Sequence, residues 1–475
     1  MNKIIIGRTQ EIVSLNGAYT SEKSEFLAIT GRRRVGKTYL VNAHFEKEMT
    51  FHFSGILNAP MQQQLKNFNY QFDKYFGESP AVSTPKNWLD AFITLTKYLN
   101  KSRKKGKKVI FIDELPWLDT HKSNFVAALD WFWNTWAVDK NVLLIVCGSA
   151  TSWMIKKIVN NKGGLHNRLT KRIHLQPFTL KETIDFLAYR RVKLSTYQIT
   201  QLYMAMGGIP HYLNEIQPTE SAMQAIDRIC FQKNGLLANE FKNLYQALFK
   251  NADIHLKIVF ALAKTLKGLS RNELIAATNL KDGGAISAVL EELSWCNFIH
   301  ISNGYGKTKK DSLYRLTDEF SLFYLQFMYK KNNIDWLKLS STPKWKSWAG
   351  YAFENVCFKH LTAIKKSLGI DGVFTQFYSF QSKGSQTKEG TQIDLLIERN
   401  DGIIHLCEIK FYETQFVITK DYAQRLEQKI RVFKSETKTT KVIFPTMITS
   451  YGTSPNQYYI GLIQQAITLD DLTKY

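Results

Sequence analysis

The segment from Gly31 to Thr38 has the residue types and the spacing of a loop that binds phosphate. It fits the pattern G-x-x-x-x-G-K-[S/T] at every fixed position. Its residues are Gly31, Arg32, Arg33, Arg34, Val35, Gly36, Lys37 and Thr38. The glycines let backbone N–H groups close around phosphate oxygens at a helix N-terminus. Lys37 would contact the β- and γ-phosphates and the Thr38 hydroxyl would ligate Mg²⁺, so we expect the chain to bind a nucleoside triphosphate.

A second chemical feature is a pair of acids at the end of an apolar stretch. Residues 109–112 are all apolar, and Asp113 and Glu114 follow directly. Such a strand would deliver both carboxylates beside the bound phosphates. Asp113 would hold Mg²⁺ through water, and Glu114 would act as general base on the attacking water. The alternative is a core strand that merely ends in acids, and the phosphate-binding pattern upstream favours the catalytic interpretation.

Ser149 follows a third apolar stretch, residues 142–147, and the glycine that ends it. The carboxyl ends of parallel strands converge on the ligand, which would place the Ser149 hydroxyl near the γ-phosphate or the attacking water. Equally open is a simpler role, in which Ser149 caps a helix over residues 151–158.

Near the carboxyl terminus, two carboxylates and a lysine have the spacing of a metal site. Residues 392–398 and 403–410 predict two strands joined by a three-residue turn that ends at Gly402. This turn sets Asp394 directly across from Glu408, and Lys410 shares their face. Asp394 and Glu408 would ligate Mg²⁺ or Mn²⁺, and Lys410 would orient a water or stabilise developing charge. The alternative is an ordinary hairpin with incidental charges.

Between these two regions, the spacing of apolar residues predicts helices over residues 178–245. A smaller unit follows, with helices predicted over 254–266, 271–277 and 285–293 and strands over 298–301 and 312–316. This is the order of a winged helix. Its wing lysines, Lys307, Lys309 and Lys310, suit contact with a nucleic-acid backbone. A module for packing or protein contact is the alternative.

Composition limits the classes of function. The chain has 475 residues and a formal net charge of +22, which favours a polyanionic partner. The densest basic run, residues 101–108, predicts either a solvated loop or a nucleic-acid contact. Five scattered cysteines and the absence of a membrane-length apolar run favour a cytoplasmic chain with no membrane association.

Seven short motifs occur in order over residues 1–240. They are G-R-x-x-E-x-x-x-L from Gly7, G-R-R-R-V-G-K-T, F-I-D-E-L-P-W-L, C-G-S-A-T-S-W-M, G-G-L-H-N-R ending at Arg168, L-x-P-F and G-G-I-P. Together they resemble the archaeal-type ATPase family of the STAND/AAA+ branch of P-loop ATPases.

This resemblance implies ATP as the nucleotide, with Gly7 and Arg8 close to the adenine. It makes Arg168 a candidate arginine finger or phosphate sensor, acting in cis or in trans. An ordinary surface arginine is the alternative for Arg168. The G-G-I-P motif at residues 207–210 would begin a helical lid that contacts the nucleotide.

The pattern D-x13-E-x-K formed by Asp394, Glu408 and Lys410 resembles the PD-(D/E)xK restriction-endonuclease-like nucleases. The resemblance implies that Glu354, on a predicted amphipathic helix, also ligates the metal. ATPases of the group named above commonly carry such a domain at this end.

We therefore expect an α/β protein: a P-loop NTPase with a parallel sheet and helical lid, then a winged helix, then a restriction-endonuclease-like α/β domain. The expected boundaries are 1–177, 178–245, 246–335 and 336–475. The leading hypothesis is an ATPase, associated with DNA, whose nucleotide state controls the nuclease-like domain. Self-association or a protein partner through the ATPase domain is compatible with it. The alternative is an ATP-dependent switch, scaffold or transcription regulator whose nuclease-like domain binds without cutting.

Overall fold

The computed structural model describes residues 4–77, 83–102, 106–160, 163–165, 167–249, 251–265, 268–307, 312–330, 334–382 and 390–474. The chain divides into two compact units. Unit 1 comprises Met1–Pro177 with Gln246–Lys250, and unit 2 comprises Phe178–Tyr245 with Asn251–Tyr475.

Unit 1 is built on a five-stranded sheet in which every pair of neighbours is parallel. The strands are β1 (Glu25–Thr30), β2 (Met49–Ser54), β3 (Lys108–Asp113), β4 (Val142–Cys147) and β5 (Lys171–His174). Their order across the sheet is β2-β3-β4-β1-β5. The three central strands are almost wholly buried and apolar, which is typical of a parallel sheet covered on both faces. The predicted parallel sheet is confirmed.

Helices connect these strands. They are α1 (Thr9–Thr20), α2 (Lys37–His44), α3 (Met61–Phe76), α4 (Trp88–Lys101), α5 (Phe125–Thr135) and the short α6 (Thr151–Met154). Helix α2 begins inside the phosphate-binding pattern, directly after Gly36, whose φ of 92° suits glycine. Aromatic side chains of α3, α4 and α5, including Phe68, Trp88 and Phe132, form a core with β1–β4. This core holds the helices against the sheet, and the predicted site residues lie at one edge of that sheet.

Lys107, in the basic run at residues 101–108, fits neither the solvated-loop nor the nucleic-acid interpretation of that run. Lys107 is buried, and its ammonium donates to the carbonyl oxygens of Ala18 at 2.9 Å and Lys23 at 2.6 Å. Lys107 therefore fastens the end of α1 to the start of β3. Residues 103–105 lie outside the described ranges.

The first part of unit 2 is helical, as predicted for residues 178–245. Its helices are α7 (Leu180–Tyr189), α8 (Thr196–Met206), α9 (Pro210–Leu213), α10 (Ala222–Ile226) and most of α11 (Glu240–Leu248), whose residues 246–248 belong to unit 1. Thr179 begins α7 with a reciprocal capping box to Glu182, which explains why the helix starts there.

A three-stranded antiparallel sheet with three helices follows. The elements are α12 (Ala252–Ala263), β6 (Leu269–Ser270), α13 (Arg271–Thr278), α14 (Gly284–Trp295), β7 (Ile299–Ser302) and β8 (Leu313–Leu316). All three predicted helices and both predicted strands are present, and β6 was not predicted. Strand β8 lies between β6 and β7.

The rest of unit 2 contains a five-stranded mixed sheet. Its helices are α15 (Glu319–Phe323), α16 (Trp336–Leu339), α17 (Pro343–Lys359), α18 (Leu361–Ser367), α19 (Lys420–Thr437), α20 (Gln457–Leu462) and α21 (Leu469–Leu472). Its strands are β9 (Thr375–Ser382), β10 (Thr391–Arg399), β11 (Ile403–Lys410), β12 (Val442–Thr449) and β13 (Gln465–Ile467), in the order β13-β12-β11-β10-β9.

The β10–β11 hairpin has the predicted register. Leu395 pairs with Cys407, which is the pair next to Asp394 and Glu408, and Gly402 has the left-handed φ of 87° that the turn requires. The pairing of β10 with β9 shifts by one residue between Ile393 and Leu396. An irregularity in pairing therefore includes Asp394 and Leu395, and bulges commonly re-aim a side chain beside a functional site.

The turn at residues 303–307 contacts the edge strand β9 instead of standing free as a wing. Gly304 forms a bridge with Ser379, and the Tyr305 N–H donates to the Ser379 carbonyl at 2.9 Å. The Tyr305 hydroxyl also donates to Glu398 at 3.0 Å. Lys309 and Lys310 lie outside the described residues.

Among the helices of the described ranges, none has the length and apolar character needed to cross a membrane.

Candidate functional site

The phosphate-binding pattern forms a closed loop between β1 and α2. The Lys37 ammonium donates to the carbonyl oxygens of Gly31 and Arg32, each at 2.9 Å, and Lys37 is only 5% exposed. Gly31 has a φ of 141°, and a Cβ atom there would lie 2.4 Å from the carbonyl oxygen of Leu175. The loop therefore holds its lysine charge inside a backbone cradle that only glycine can build at position 31.

Arg8 supports this loop from the chain segment before α1. Its guanidinium donates to the carbonyl oxygens of Val35 at 3.1 Å and Gln176 at 2.7 Å. Both Gly7 and Arg8 have left-handed backbone conformations, with φ of 62° and 60°. The structure thus places Arg8 against the backbone of the phosphate loop, and an adenine contact for Gly7 and Arg8 remains a prediction.

The arginines of the loop occupy different environments. Arg32 is buried, whereas Arg33 and Arg34 are partly exposed. Arg34 has a left-handed φ of 72°.

Asp113, the last residue of β3, contacts Thr38 of the phosphate-binding pattern and Cys147 of β4. One carboxylate oxygen accepts from the Thr38 hydroxyl at 2.7 Å, and the other accepts from the Glu114 N–H at 2.8 Å and the Cys147 thiol at 2.5 Å. Burial, followed by the charge of Asp113, holds the pKa of Cys147 well above its usual range, so the thiol keeps the proton it donates. Thr38 and Asp113, the predicted Mg²⁺ ligands, are therefore in direct contact.

Glu114 and Ser149 form a second contact that the sequence did not predict. One oxygen of the Glu114 carboxylate accepts from the Ser149 N–H at 3.0 Å and from its hydroxyl at 2.9 Å. Glu114 has a left-handed φ of 47°, which is unusual for a residue with a side chain. Ser149 is not the cap of α6, because that helix begins after Ala150. The hydroxyl instead fixes the carboxylate of the expected general base.

The residues at this edge of the sheet fit Mg²⁺. A hydroxyl and a carboxylate are oxygen ligands of the kind this cation prefers, and Mg²⁺ usually takes few protein ligands and completes its shell with water and phosphate oxygens. The 2.7 Å contact between Thr38 and Asp113 brings both donors to one position.

Arg168 lies on an exposed turn before β5. Its N–H donates to the carbonyl oxygen of Leu165 at 3.1 Å. His166 lies outside the described residues. A role as arginine finger or sensor therefore stays a prediction for Arg168.

In unit 2, Glu408 lies at the centre of a group of basic and phenolic side chains. Its carboxylate is 4% exposed and accepts from the Lys429 ammonium at 2.5 Å and the Tyr422 hydroxyl at 2.8 Å, with the Lys410 ammonium 3.6 Å away. Burial acts to raise the pKa of Glu408, but the two lysines outweigh it and hold the pKa below its usual value. Glu408 is therefore ionised and held on two sides.

Asp394 and Glu354 each contact a further side chain. The Gln392 amide donates to Asp394 at 2.7 Å, and Arg315 of β8 forms an ion pair with Glu354 at 3.4 Å. Burial, and then the charge of Asp394, raise the pKa of Glu354 to about 8, against the opposing charges of Arg315 and Lys410. Glu354 is thus electrostatically coupled to the predicted site residues.

The predicted carboxylates of unit 2 do not form a closed metal cage. Within the described ranges, no group of three or more His, Cys, Asp or Glu side chains is arranged to hold a metal ion. Asp394 and Glu408 occupy adjacent hairpin positions, and two carboxylates are enough for Mg²⁺ when a phosphate supplies further oxygens. The donor chemistry fits, although Glu408 would have to exchange one of its hydrogen bonds for the cation.

Four residues of these clusters had no assigned role in the sequence interpretation. They are Cys147, Arg315, Tyr422 and Lys429. Tyr422 and Lys429 lie seven positions apart on α19, a spacing that places both on one helix face. That spacing is a signal the sequence contained. Arg315 and Cys147 reach their partners through tertiary packing and had no local signal.

Comparison with known proteins supports the assignment of the first half of the chain. Residues 5–216 match the family described as an ATPase domain predominantly from Archaea. The predicted resemblance to an archaeal-type ATPase is therefore confirmed for these residues, and nucleotide binding by a P-loop-type fold is supported.

Individual relatives are distant. An uncharacterized protein of Methanocaldococcus jannaschii is 22% identical over 417 residues, which are 86% of this chain and 88% of that protein. A Walker-type ATPase of Pyrococcus abyssi is similar in structure, with a TM-score of 0.52 and 16% identity over 68% of this chain and 96% of its own. The ORC2 protein of Aeropyrum pernix, solved as ADPNP–ADP complexes, has a TM-score of 0.44 and 14% identity over 68% and 94% of the two chains.

Proposed function

We propose that unit 1 binds and hydrolyses ATP and that its nucleotide state controls a DNA-directed, nuclease-like activity of unit 2. The observation that carries the ATPase half is the convergence of Lys37, Thr38, Asp113, Glu114 and Ser149 at one edge of the sheet. Their contacts assemble a phosphate cradle, a pair of oxygen ligands for Mg²⁺ and an oriented carboxylate.

Each of these residues has a defined task in hydrolysis. Bound Mg²⁺ would neutralise charge on the phosphate oxygens. Lys37 would exchange the carbonyl oxygens of Gly31 and Arg32 for phosphate oxygens, since its ammonium already lies inside the loop. Glu114, oriented by Ser149, would accept the proton of the attacking water.

Substitution of Lys37 tests the ATPase assignment directly. We expect Lys37→Ala to lose ATP binding, measured by calorimetry, and ATP turnover, measured by phosphate release. Lys47→Ala removes an exposed lysine just beyond α2 and serves as the control with unchanged binding. Equal turnover in wild type and Lys37→Ala would refute the assignment.

Three features support association with DNA and a nuclease-like unit 2. The net charge of +22 favours a polyanion. The order α12, β6, α13, α14, β7, β8 is compatible with a winged helix. Asp394, Glu408 and Lys410 lie on the β10–β11 hairpin, and their charges act on Glu354 of α17, which favours a common site.

The residues of this cluster would have different roles in phosphodiester hydrolysis. A divalent cation held by Asp394 and Glu408 would act as Lewis acid on the phosphate. Lys410, which is 3.6 Å from Glu408, would orient the attacking water or stabilise charge on the phosphate.

A cleavage assay tests this half of the proposal. We expect metal-dependent cleavage of plasmid or single-stranded DNA by the wild type and its loss in Lys410→Ala. Lys420→Ala, an exposed lysine at the start of α19, should cleave like wild type. Equal activity of wild type and Lys410→Ala, or no cleavage by either, would contradict a nuclease.

One observation favours a second candidate function, an ATP-dependent switch or transcription regulator that binds without cutting. Both oxygens of Glu408 are held, by Lys429 and Tyr422, in an arrangement that opposes metal entry. DNA or protein binding that depends on ATP and persists in Glu408→Ala would favour this alternative, and sequence-specific footprinting would identify a regulator.

A further inference from the structure

A cavity of about 690 Å³ lies within unit 2, beside the cluster around Lys410. Its walls include Tyr197, Arg315, Tyr351, Glu354, Lys410 and Tyr412. The volume is within the roughly 300–1,000 Å³ typical of pockets for small organic ligands. The cavity therefore has room for a ligand of nucleotide size directly beside the residues assigned to phosphate chemistry.

Aromatic rings line one side of this cavity. Tyr197 of α8 stacks on Phe411 with ring centroids 4.4 Å apart and planes within 6° of parallel. Tyr412, the next residue, is 51% exposed although it is aromatic. Proteins that bind single-stranded nucleic acids use rings of this kind as platforms for unpaired bases, because every base has a face that can stack.

A buried cation also lines the cavity. Arg315 is 9% exposed, and its guanidinium lies 5.2 Å from the centroid of the Tyr351 ring and 5.1 Å from that of Phe358. The guanidinium also lies 3.4 Å from the Glu354 carboxyl, and both residues line the cavity. Arginine stays charged and forms paired hydrogen bonds with phosphate, so Arg315 is suited to bind an anion beside Lys410 and an aromatic surface. Lys346 is a third cation of the lining, and Glu354 and Glu413 are its carboxylates.

We propose that this cavity binds one nucleotide unit of a single-stranded nucleic acid, with its base against Tyr412 and its phosphate at Arg315 and Lys410. This inference rests on the proposed action of unit 2 on nucleic acid and specifies its substrate class. A base inside a duplex is already stacked on both faces and cannot enter such a cavity without leaving the helix. The cavity therefore selects single strands or unpaired ends.

Binding measurements on the full-length chain test this proposal without requiring cleavage. The protein carries Lys37→Ala, so that the phosphate loop does not contribute, and EDTA prevents hydrolysis. Fluorescence anisotropy then compares a labelled oligothymidylate with a blunt duplex of equal length at one salt concentration. We expect the oligothymidylate to bind at least about tenfold more tightly.

Variants of the cavity separate stacking from charge. Tyr412→Ala should weaken oligothymidylate binding about tenfold while Tyr412→Phe retains it, because the ring supplies the stacking surface. Arg315→Lys should also weaken it, since lysine cannot form the paired contacts of a guanidinium. Arg431→Ala removes an exposed arginine of α19 and should leave the preference for single strands unchanged.

Equal binding of single strand and duplex, or no effect of Tyr412→Ala, would overturn the proposal. If the duplex binds and is cleaved with Mg²⁺ while the single strand is not preferred, this inference fails and the proposed function stands. If neither nucleic acid binds, both fail together.

Discussion

Substitution of Ser149 gives a sharp test of how the ATPase site is built. The Ser149 hydroxyl donates to Glu114 at 2.9 Å, and the same carboxylate oxygen accepts the Ser149 N–H at 3.0 Å. Ser149→Ala would remove the first contact and keep the second. Glu114 would then retain its charge but lose part of the restraint on its orientation.

The magnitude follows from the type of contact removed. A hydrogen bond to a charged group contributes about 1.5–3 kcal/mol. Each 1.36 kcal/mol of transition-state stabilisation corresponds to about tenfold in rate. We therefore expect kcat for ATP hydrolysis to fall about 10- to 100-fold. The KM for ATP should change little, because Ser149 contacts Glu114 and not the phosphate loop.

Steady-state phosphate release at saturating ATP measures this effect. Ser152→Ala removes a nearby hydroxyl of α6 and serves as the matched control, with wild-type kcat expected. A wild-type kcat in Ser149→Ala, or a loss confined to KM, would show that the hydroxyl does not orient the general base.

Three further predictions concern the loop, a buried histidine and the carboxyl-terminal cluster. Gly31→Ala should abolish ATP binding in a calorimetric titration, because its Cβ would lie 2.4 Å from a backbone oxygen. His360 accepts from the Leu180 N–H at 2.8 Å, and burial lowers its pKa to about 4. In the unfolded chain the histidine takes up its proton near pH 6.5. The free energy of unfolding of unit 2 should therefore fall by about 3 kcal/mol as the pH falls from 7 to 4. Melting temperatures measured over this pH range should vary less in His360→Gln. Lys429→Met should lower the free energy of unfolding by about 3 kcal/mol in urea, because it leaves the Glu408 charge buried with fewer partners.

The Gly31 and Lys429 predictions each have a control variant, and the His360 prediction compares the wild type with His360→Gln. Gly350→Ala adds a Cβ that meets no atom within 4 Å and should leave ATP binding intact. Lys434→Met changes an exposed lysine of the same helix as Lys429 and should leave stability nearly unchanged. Intact ATP binding in Gly31→Ala, equal pH slopes with and without His360, or equal stability of Lys429→Met and Lys434→Met would contradict the respective reasoning.

Local patterns were sufficient to predict the sheet of unit 1 and the β10–β11 hairpin. The apolar stretches before Asp113 and Ser149 have one physical explanation, a parallel strand buried on both faces. The position of Gly402 determined the turn and with it the register that brings Asp394 next to Glu408. In both cases the signal lies within a few residues of sequence, although the strands of the unit 1 sheet pair across much larger separations.

Sequence patterns did not predict contacts between elements that are far apart along the chain. Arg315 reaches Glu354 from a strand 39 positions earlier in the chain, and the Cys147 thiol reaches Asp113 from 34 positions away. The sequence around Arg315 or Cys147 does not indicate which residue either side chain contacts. Sequence patterns likewise did not predict the contact of Ser149 with Glu114, and a contact of Ser149 with the γ-phosphate or the attacking water stays a prediction.

The measurement that tests the central claim most directly is DNA cleavage under defined nucleotide states. The Glu114→Gln variant should bind ATP without hydrolysing it, which allows cleavage with Mg²⁺ to be compared between ATP and ADP on the same protein. We predict rates that differ about tenfold or more between the two nucleotides and that vanish when Lys410→Ala is added. Equal cleavage with ATP, with ADP and without nucleotide would contradict control of unit 2 by the ATPase site.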